Sequence, residues 1–148
     1  TWKEKIVGFL HDAIEDTDYT TEDLFRKIED TLRKLSTSED EAWKEEFDIM
    51  PFPGESIYFP SEDDWQEMGE ALAILNHHTA PNREEYIKRF GENQLALKVK
   101  LNDMRNNMDI SRIPSPTPID YERLERYKSE YKVLLDMLPS IDLSDNLE

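Results

Sequence analysis

Two short segments carry the side chains that could do chemistry. His11-Asp12-Ala13-Ile14-Glu15-Asp16-Thr17 brings one imidazole and three carboxylates together. In a helix His11 and Glu15 stand one turn apart, as do Asp12 and Asp16, and adjacent side chains project about 100° apart. His11 and Asp12 share one metal only if it sits between their directions and other helices complete the shell. Imidazole with carboxylate suits a divalent ion such as Mn, Fe or Zn. Glu15 and Asp16 would form a second carboxylate pair facing the same cleft, where close carboxylates raise the pKa of one partner and favour general acid-base work. Spacing alone favours a plainer role, a helix cap or a salt-bridged surface pair. The second segment is Lys98-Val99-Lys100-Leu101-Asn102-Asp103-Met104-Arg105-Asn106-Asn107-Met108. Asp103 and Asn107 lie one turn apart, and Lys98, Lys100 and Arg105 are a rare basic group in an acidic chain. They read either as a metal ligand with polar contacts and phosphate-binding cations or as a solvated helix face with ordinary ion pairs.

The elements that must position these residues are helical. The 148-residue chain has 18 Lys+Arg against 34 Asp+Glu, for a net charge of −16. That charge argues against duplex nucleic acid or an anionic membrane as partner. With no cysteine, disulfides, thiolate zinc sites and a cysteine nucleophile are excluded. No transmembrane span or signal h-region is present, so a cytoplasmic protein is expected. Residues 2–16 carry Trp2, Ile6, Phe9, Leu10 and Ala13 near helical period. Thr20 with Asp23 opens a helix through Leu24, Ile28, Leu32 and Leu35, and Ser61 with Asp64 opens one through Trp65, Met68, Leu72 and Leu75. Asn82 with Glu85 caps a short helix ended by Gly91. Asn93 begins the next, with Leu97, Leu101, Met104 and Met108 on one face. After Pro114, Pro116 and Pro118 comes a last helix bearing Tyr121, Leu124, Tyr127, Tyr131, Leu134 and Leu138. Residues 36–60 read as a loop-rich insertion and 140–148 as a flexible tail. The expectation is one all-α bundle over residues 1–139. His77 and His78 diverge on one helix, which makes joint chelation awkward and a cationic role at a helix C-terminus more natural.

Together the two segments resemble the HD-domain phosphohydrolases, most closely the hydrolase domain of the RelA/SpoT alarmone enzymes. The first, from Leu10 to Thr17, is similar to a leucine-His-Asp-x-x-Glu-Asp-Thr signature. Lys100-Leu101-Asn102-Asp103 followed by Asn107-Met108 is similar to the distal lysine-leucine-x-Asp stretch. In a small single-domain branch, further counterparts are Leu75-Asn76-His77, Glu84-Glu85-Tyr86-Ile87 and Asn106-Asn107-Met108-Asp109. The Pro-Thr-Pro turn and the tyrosine-rich last helix also correspond. The likeness spans residues 5–35 and 68–138.

The resemblance implies an HD-domain-like helical bundle holding a divalent metal, usually manganese. His11, Asp12 and Asp103 correspond to metal ligands. Glu15 and Asp16 correspond to the catalytic pair that positions or activates water. Asn107 corresponds to a substrate-orienting residue. The implied reaction removes the 3′-pyrophosphate of guanosine 3′,5′-bispyrophosphate or a related guanine nucleotide. The family also carries a metal-binding His in a His-Pro context well upstream, and Thr1 stands too close to His11 to contain it. A domain lacking its usual N-terminal helix, with impaired hydrolysis, is therefore expected. Two further departures are Met104, where the family usually has arginine, and residues 39–60, whose Trp43, Phe47, Phe52, Tyr58 and Phe59 could line a cleft or pack on the bundle. Two function classes stay open: a metal-dependent nucleotide pyrophosphohydrolase, and a non-catalytic HD-fold binding or regulatory module.

Overall fold

The computed structural model describes residues 1–37 and 59–139. Six α-helices run through them, with no strand among the described residues. They are α1 (Trp2–Asp16), α2 (Thr21–Thr37), α3 (Glu62–Leu75), α4 (Arg83–Lys88), α5 (Gln94–Asn107) and α6 (Pro118–Leu135). Short 3₁₀ turns at His77–Thr79, Arg89–Glu92 and Ile110–Arg112 link them. Among the described residues no helix is long and apolar enough to cross a membrane.

The starts follow the capping chemistry. Helix N-termini leave backbone N–H groups without partners, and short polar side chains satisfy them. Asp23 Oδ2 accepts from Thr20 N (3.2 Å), and Asp23 N donates to Thr20 Oγ1 (3.1 Å). Ser61 and Asp64 make the same reciprocal pair at 2.9 and 3.1 Å. Asn82 Oδ1 accepts from Glu85 N and Asn93 Oδ1 from Ala96 N, both at 2.9 Å. Pro118 stands in the first turn of α6, where its missing N–H costs nothing.

Helix α5 is the centre. It packs against α1, α3 and α6, and α1 also packs on α3. Leu95, Ala96, Leu97, Val99, Leu101 and Met104 are all buried, so α5 is apolar round most of its circumference. Met68, Ala71, Leu72 and Leu75 of α3 join them in one core with Tyr86, Phe90 and Leu134. Outside that core, Arg83 of α4 forks onto Glu130 of α6 at 2.8 and 2.7 Å. Lys3 of α1 pairs with Asp64 (2.6 Å) and Glu67 of α3.

Two details correct the sequence reading. Phe9, expected on the buried face of α1, is 82% exposed, whereas Val7 is fully buried. Helix α1 lies against both α3 and α5, so its inward direction bisects the two contacts and runs through Val7 and His11. Helix α2 continues through Thr37, beyond the expected start of the loop at residue 36, because extending a nucleated helix by a residue costs little. Residues 38–58 and the tail 140–148 lie outside the described residues, and with them the expected loop and tail. Of the aromatic group at 43–59 only Phe59 is described, and it is exposed.

Candidate functional site

A cleft of about 710 Å³ opens between α1 and α5. From α1 it is lined by Glu4, Lys5, Gly8, Phe9, His11 and Asp12, and from α5 by Lys98, Val99, Asn102, Asp103, Asn106 and Asn107. The two sequence segments, some ninety residues apart, thus form opposite walls of one space. Gly8 faces Val99 across the two helices: a Cβ added at Gly8 would lie 4.0 Å from Val99 Cγ1.

His11 is nearly buried, and its Nδ1 lies 2.7 Å from the Gly8 carbonyl oxygen. A carbonyl only accepts, so Nδ1 carries the proton and donates. The other nitrogen, Nε2, lies 3.0 Å from Asp12 Oδ1. With Nδ1 protonated, a neutral ring would point the Nε2 lone pair at a carboxylate oxygen. A metal ion between the two atoms would take a nitrogen and an oxygen donor from this pair. The Asp12 side chain is 74% exposed and free to turn toward the cleft.

On the opposite wall Asp103 is held by its own helix. Lys100 Nζ donates to Oδ2 at 2.9 Å and Asn107 Nδ2 to Oδ1 at 2.7 Å. Imidazole and two carboxylates facing one cleft fit the donor chemistry of a divalent ion. Even so, no three His, Asp or Glu side chains are gathered into one ligand group among the described residues. A metal held by His11, Asp12 and Asp103 meets Lys100 on Asp103 Oδ2 and Asn107 on Oδ1.

The remaining expected residues divide. Lys98 lines the cleft and pairs at 3.9 Å with Glu4. Asn107 lines it too. Lys100 does not: its side chain is 14% exposed, and its ammonium sits between Asp103 and the Tyr86 ring, 5.6 Å from the ring centroid. Burial pulls the Lys100 pKa down, but Tyr86 and Asp103 outweigh it and hold the ammonium above the ordinary lysine value. Lys100 is therefore an internal counter-ion rather than a phosphate contact. Arg105 turns away toward α6 and donates to Tyr131 Oη at 3.2 Å. Glu15 and Asp16, expected to face the cleft, do not line it. Asp16 is exposed at the end of α1. Glu15, one turn beyond His11, is drawn to the 3₁₀ turn after α3, where its Oε1 accepts from His77 N (3.1 Å) and contacts His77 Nδ1 (2.9 Å).

Two contributors escaped the sequence reading. Arg112, in the turn after α5, lines the cleft with its guanidinium 3.3 Å from Asn106 O. It also lines a second hollow of about 350 Å³, with Asn106, Asn107, Arg123 and Tyr127. The two hollows therefore adjoin across the C-terminal end of α5, and arginines flank the junction. The other missed residue is His77, whose expected role was that of a helix-end cation.

Compared with models of known protein families and with curated proteins, the chain shows no match.

Proposed function

We propose that this domain is an HD-like, metal-dependent phosphohydrolase acting on guanosine 3′,5′-bispyrophosphate or a related nucleotide. The observation that carries the reading is the His11-Asp12 pair. The Gly8 carbonyl fixes the His11 proton on Nδ1, and Nε2 then faces a carboxylate oxygen at 3.0 Å, a nitrogen and an oxygen donor for a shared cation. Asp103 on the opposite wall supplies a third oxygen donor. The chemistry such a cation brings is screening of phosphate charge and activation of water. The chain's own residues do the rest. Lys98 and Arg112 offer positive charge to a polyphosphate that the overall charge of −16 would repel. Asn107, tied to Asp103, orients the ligand beside that carboxylate. Glu15 serves as acceptor for the proton of the attacking water only by turning from His77 toward the cleft, which it does not line. Water adds to phosphorus, the bond from phosphorus to the ribose 3′ oxygen breaks, and that oxygen takes up a proton.

A second reading has its own observation. The Lys100 ammonium already neutralises Asp103, as it would in a module that binds a nucleotide without hydrolysing it. Calorimetry with manganese and an assay of pyrophosphate release separate the two. The hydrolase reading expects manganese to bind, Asp103→Ala to lose at least about tenfold in affinity, and pyrophosphate to appear. Equal manganese affinity in the two proteins would remove Asp103 from the ligand set. Nucleotide binding without pyrophosphate release would favour the module.

A further inference from the structure

We propose that Phe9, with Asn102 and Asn106 on the facing wall, forms the subsite for the purine base of a nucleotide bound in the cleft. The proposal rests on the nucleotide reading, which the hydrolase and the binding module share, and it assigns the end of the ligand that carries no phosphate. Phe9 is 82% exposed, the most exposed large apolar side chain among the described residues. On an open surface a single exposed ring needs no ligand to explain it. Phe9 instead lines a cleft of about 710 Å³ whose other lining is mostly charged or amide-bearing, and no tyrosine, tryptophan or second phenylalanine lines it. That volume lies within the range of small-ligand sites, about 300–1,000 Å³.

Helix geometry relates the ring to the groups that would meet phosphate. Lys5 and Asp12 stand one turn to either side of Phe9 on α1 and line the same cleft. One turn rises about 5 Å along the axis. A nucleotide with its base on Phe9 therefore carries its phosphates toward His11 and Asp12, with Lys98 on the wall across from them. Nucleobases are flat, apolar on their faces and polar at their edges, and they stack on aromatic side chains.

The polar edge of a base needs its own partners. Asn102 and Asn106, one turn apart on α5, line the cleft with exposed side chains. The Asn107 amide is committed to Asp103 at 2.7 Å, whereas neither the Asn102 nor the Asn106 amide has a partner among the described residues. Each amide offers a carbonyl acceptor and an NH2 donor in one plane. Guanine presents O6 and N7 as acceptors and its N2 amino group as a donor, so two amides match it. A wholly apolar occupant, such as a lipid chain, would strip both amides of water without replacing those bonds.

The test is calorimetry in manganese buffer with GDP and with inorganic pyrophosphate, which share a diphosphate and differ by the nucleoside. The proteins are wild type, Phe9→Ala, Phe9→Trp and the double variant Asn102→Ala, Asn106→Ala. Phe9→Ala should bind GDP about 5- to 150-fold more weakly and pyrophosphate as wild type does. Phe9→Trp should keep GDP affinity, because the stacking face remains. The double variant should lose about tenfold for GDP and nothing for pyrophosphate. Unchanged GDP affinity in Phe9→Ala, or a loss shared equally by pyrophosphate, overturns the subsite and leaves the nucleotide reading standing. Wild type that releases pyrophosphate from guanosine 3′,5′-bispyrophosphate yet binds GDP no more tightly than pyrophosphate likewise overturns the subsite alone. Wild type that neither binds GDP nor releases pyrophosphate from the bispyrophosphate overturns the nucleotide reading and the subsite with it.

Discussion

Lys100 Nζ lies 2.9 Å from Asp103 Oδ2, one turn away on the same helix, with both side chains mostly withdrawn from water. The pair gives Asp103 an internal counter-ion, so any metal at that carboxylate competes with a lysine. Lys100→Met removes the competitor while keeping much of the volume. It should tighten manganese binding and, by leaving Asp103 and Glu15 without their cation, cost about 1–3 kcal/mol of stability in urea. Weaker manganese binding would mean that the lysine orients Asp103 for the metal instead of blocking it.

Stability should fall toward acid partly through Glu15. Burial raises this carboxyl, the His77 bonds and the Lys100 charge lower it further, and its folded value lies below the ordinary 4.5. Between the folded and ordinary values the unfolded chain binds more protons than the folded one, so stability rises with pH there. The contribution is complete above pH 4.5 and is lost as pH drops through the folded value. Urea melts of Glu15→Gln across that range should show a shallower acid slope than wild type; parallel slopes would contradict the assignment.

The core and the cleft mouth should respond oppositely to truncation. Leu97 is fully buried on the central helix, and Leu97→Ala should cost about 2–5 kcal/mol. Phe9 is 82% exposed, and Phe9→Ser should stay within about 0.5 kcal/mol of wild type. A large loss at Phe9 would reveal a covering partner in solution.

Both helical glycines have room for a methyl group. A Cβ at Gly8 would meet Val99 Cγ1 at 4.0 Å, and one at Gly69 would meet Phe25 Cε2 at 3.7 Å, both ordinary contacts. Gly8→Ala and Gly69→Ala should each raise stability by about 0.5–1 kcal/mol through helix propensity. A drop in the thermal midpoint of Gly8→Ala would show that α1 and α5 pack more tightly in solution.

What could be read from the sequence was whatever is encoded locally. Thr20 with Asp23, Ser61 with Asp64, Asn82, Asn93 and Pro118 each act within one helical turn, and each marks a helix start. The Leu97, Leu101 and Met104 stripe is buried as its spacing implies. Periodicity failed at Phe9 because α1 has two neighbours, and one stripe of apolar residues does not say which way the helix turns between them. The placement of His11, Asp12 and Asp103 on one cleft followed from joining two distant motifs. Lys100 was misjudged because a lysine in sequence carries no mark of its burial. The bond between His77 and Glu15 was out of reach, since it depends on how α3 brings its final turn back toward the end of α1.

The unequal burial of α5 and α1 has a consequence for the lifetimes of the two cleft walls. Six buried residues tie α5 to the core, whereas α1 buries only Val7 and His11 and adds the partly buried Ile6, Leu10 and Ile14. Amide hydrogens of α5 should exchange with deuterium only when the whole domain unfolds, and those of α1 by partial openings. Asp103 therefore stands on a wall that persists as long as the fold does, while His11 and Asp12 come and go with the helix that bears them. A ligand spanning the cleft would slow exchange in α1 and leave α5 unchanged, so its grip would register on the less deeply seated wall.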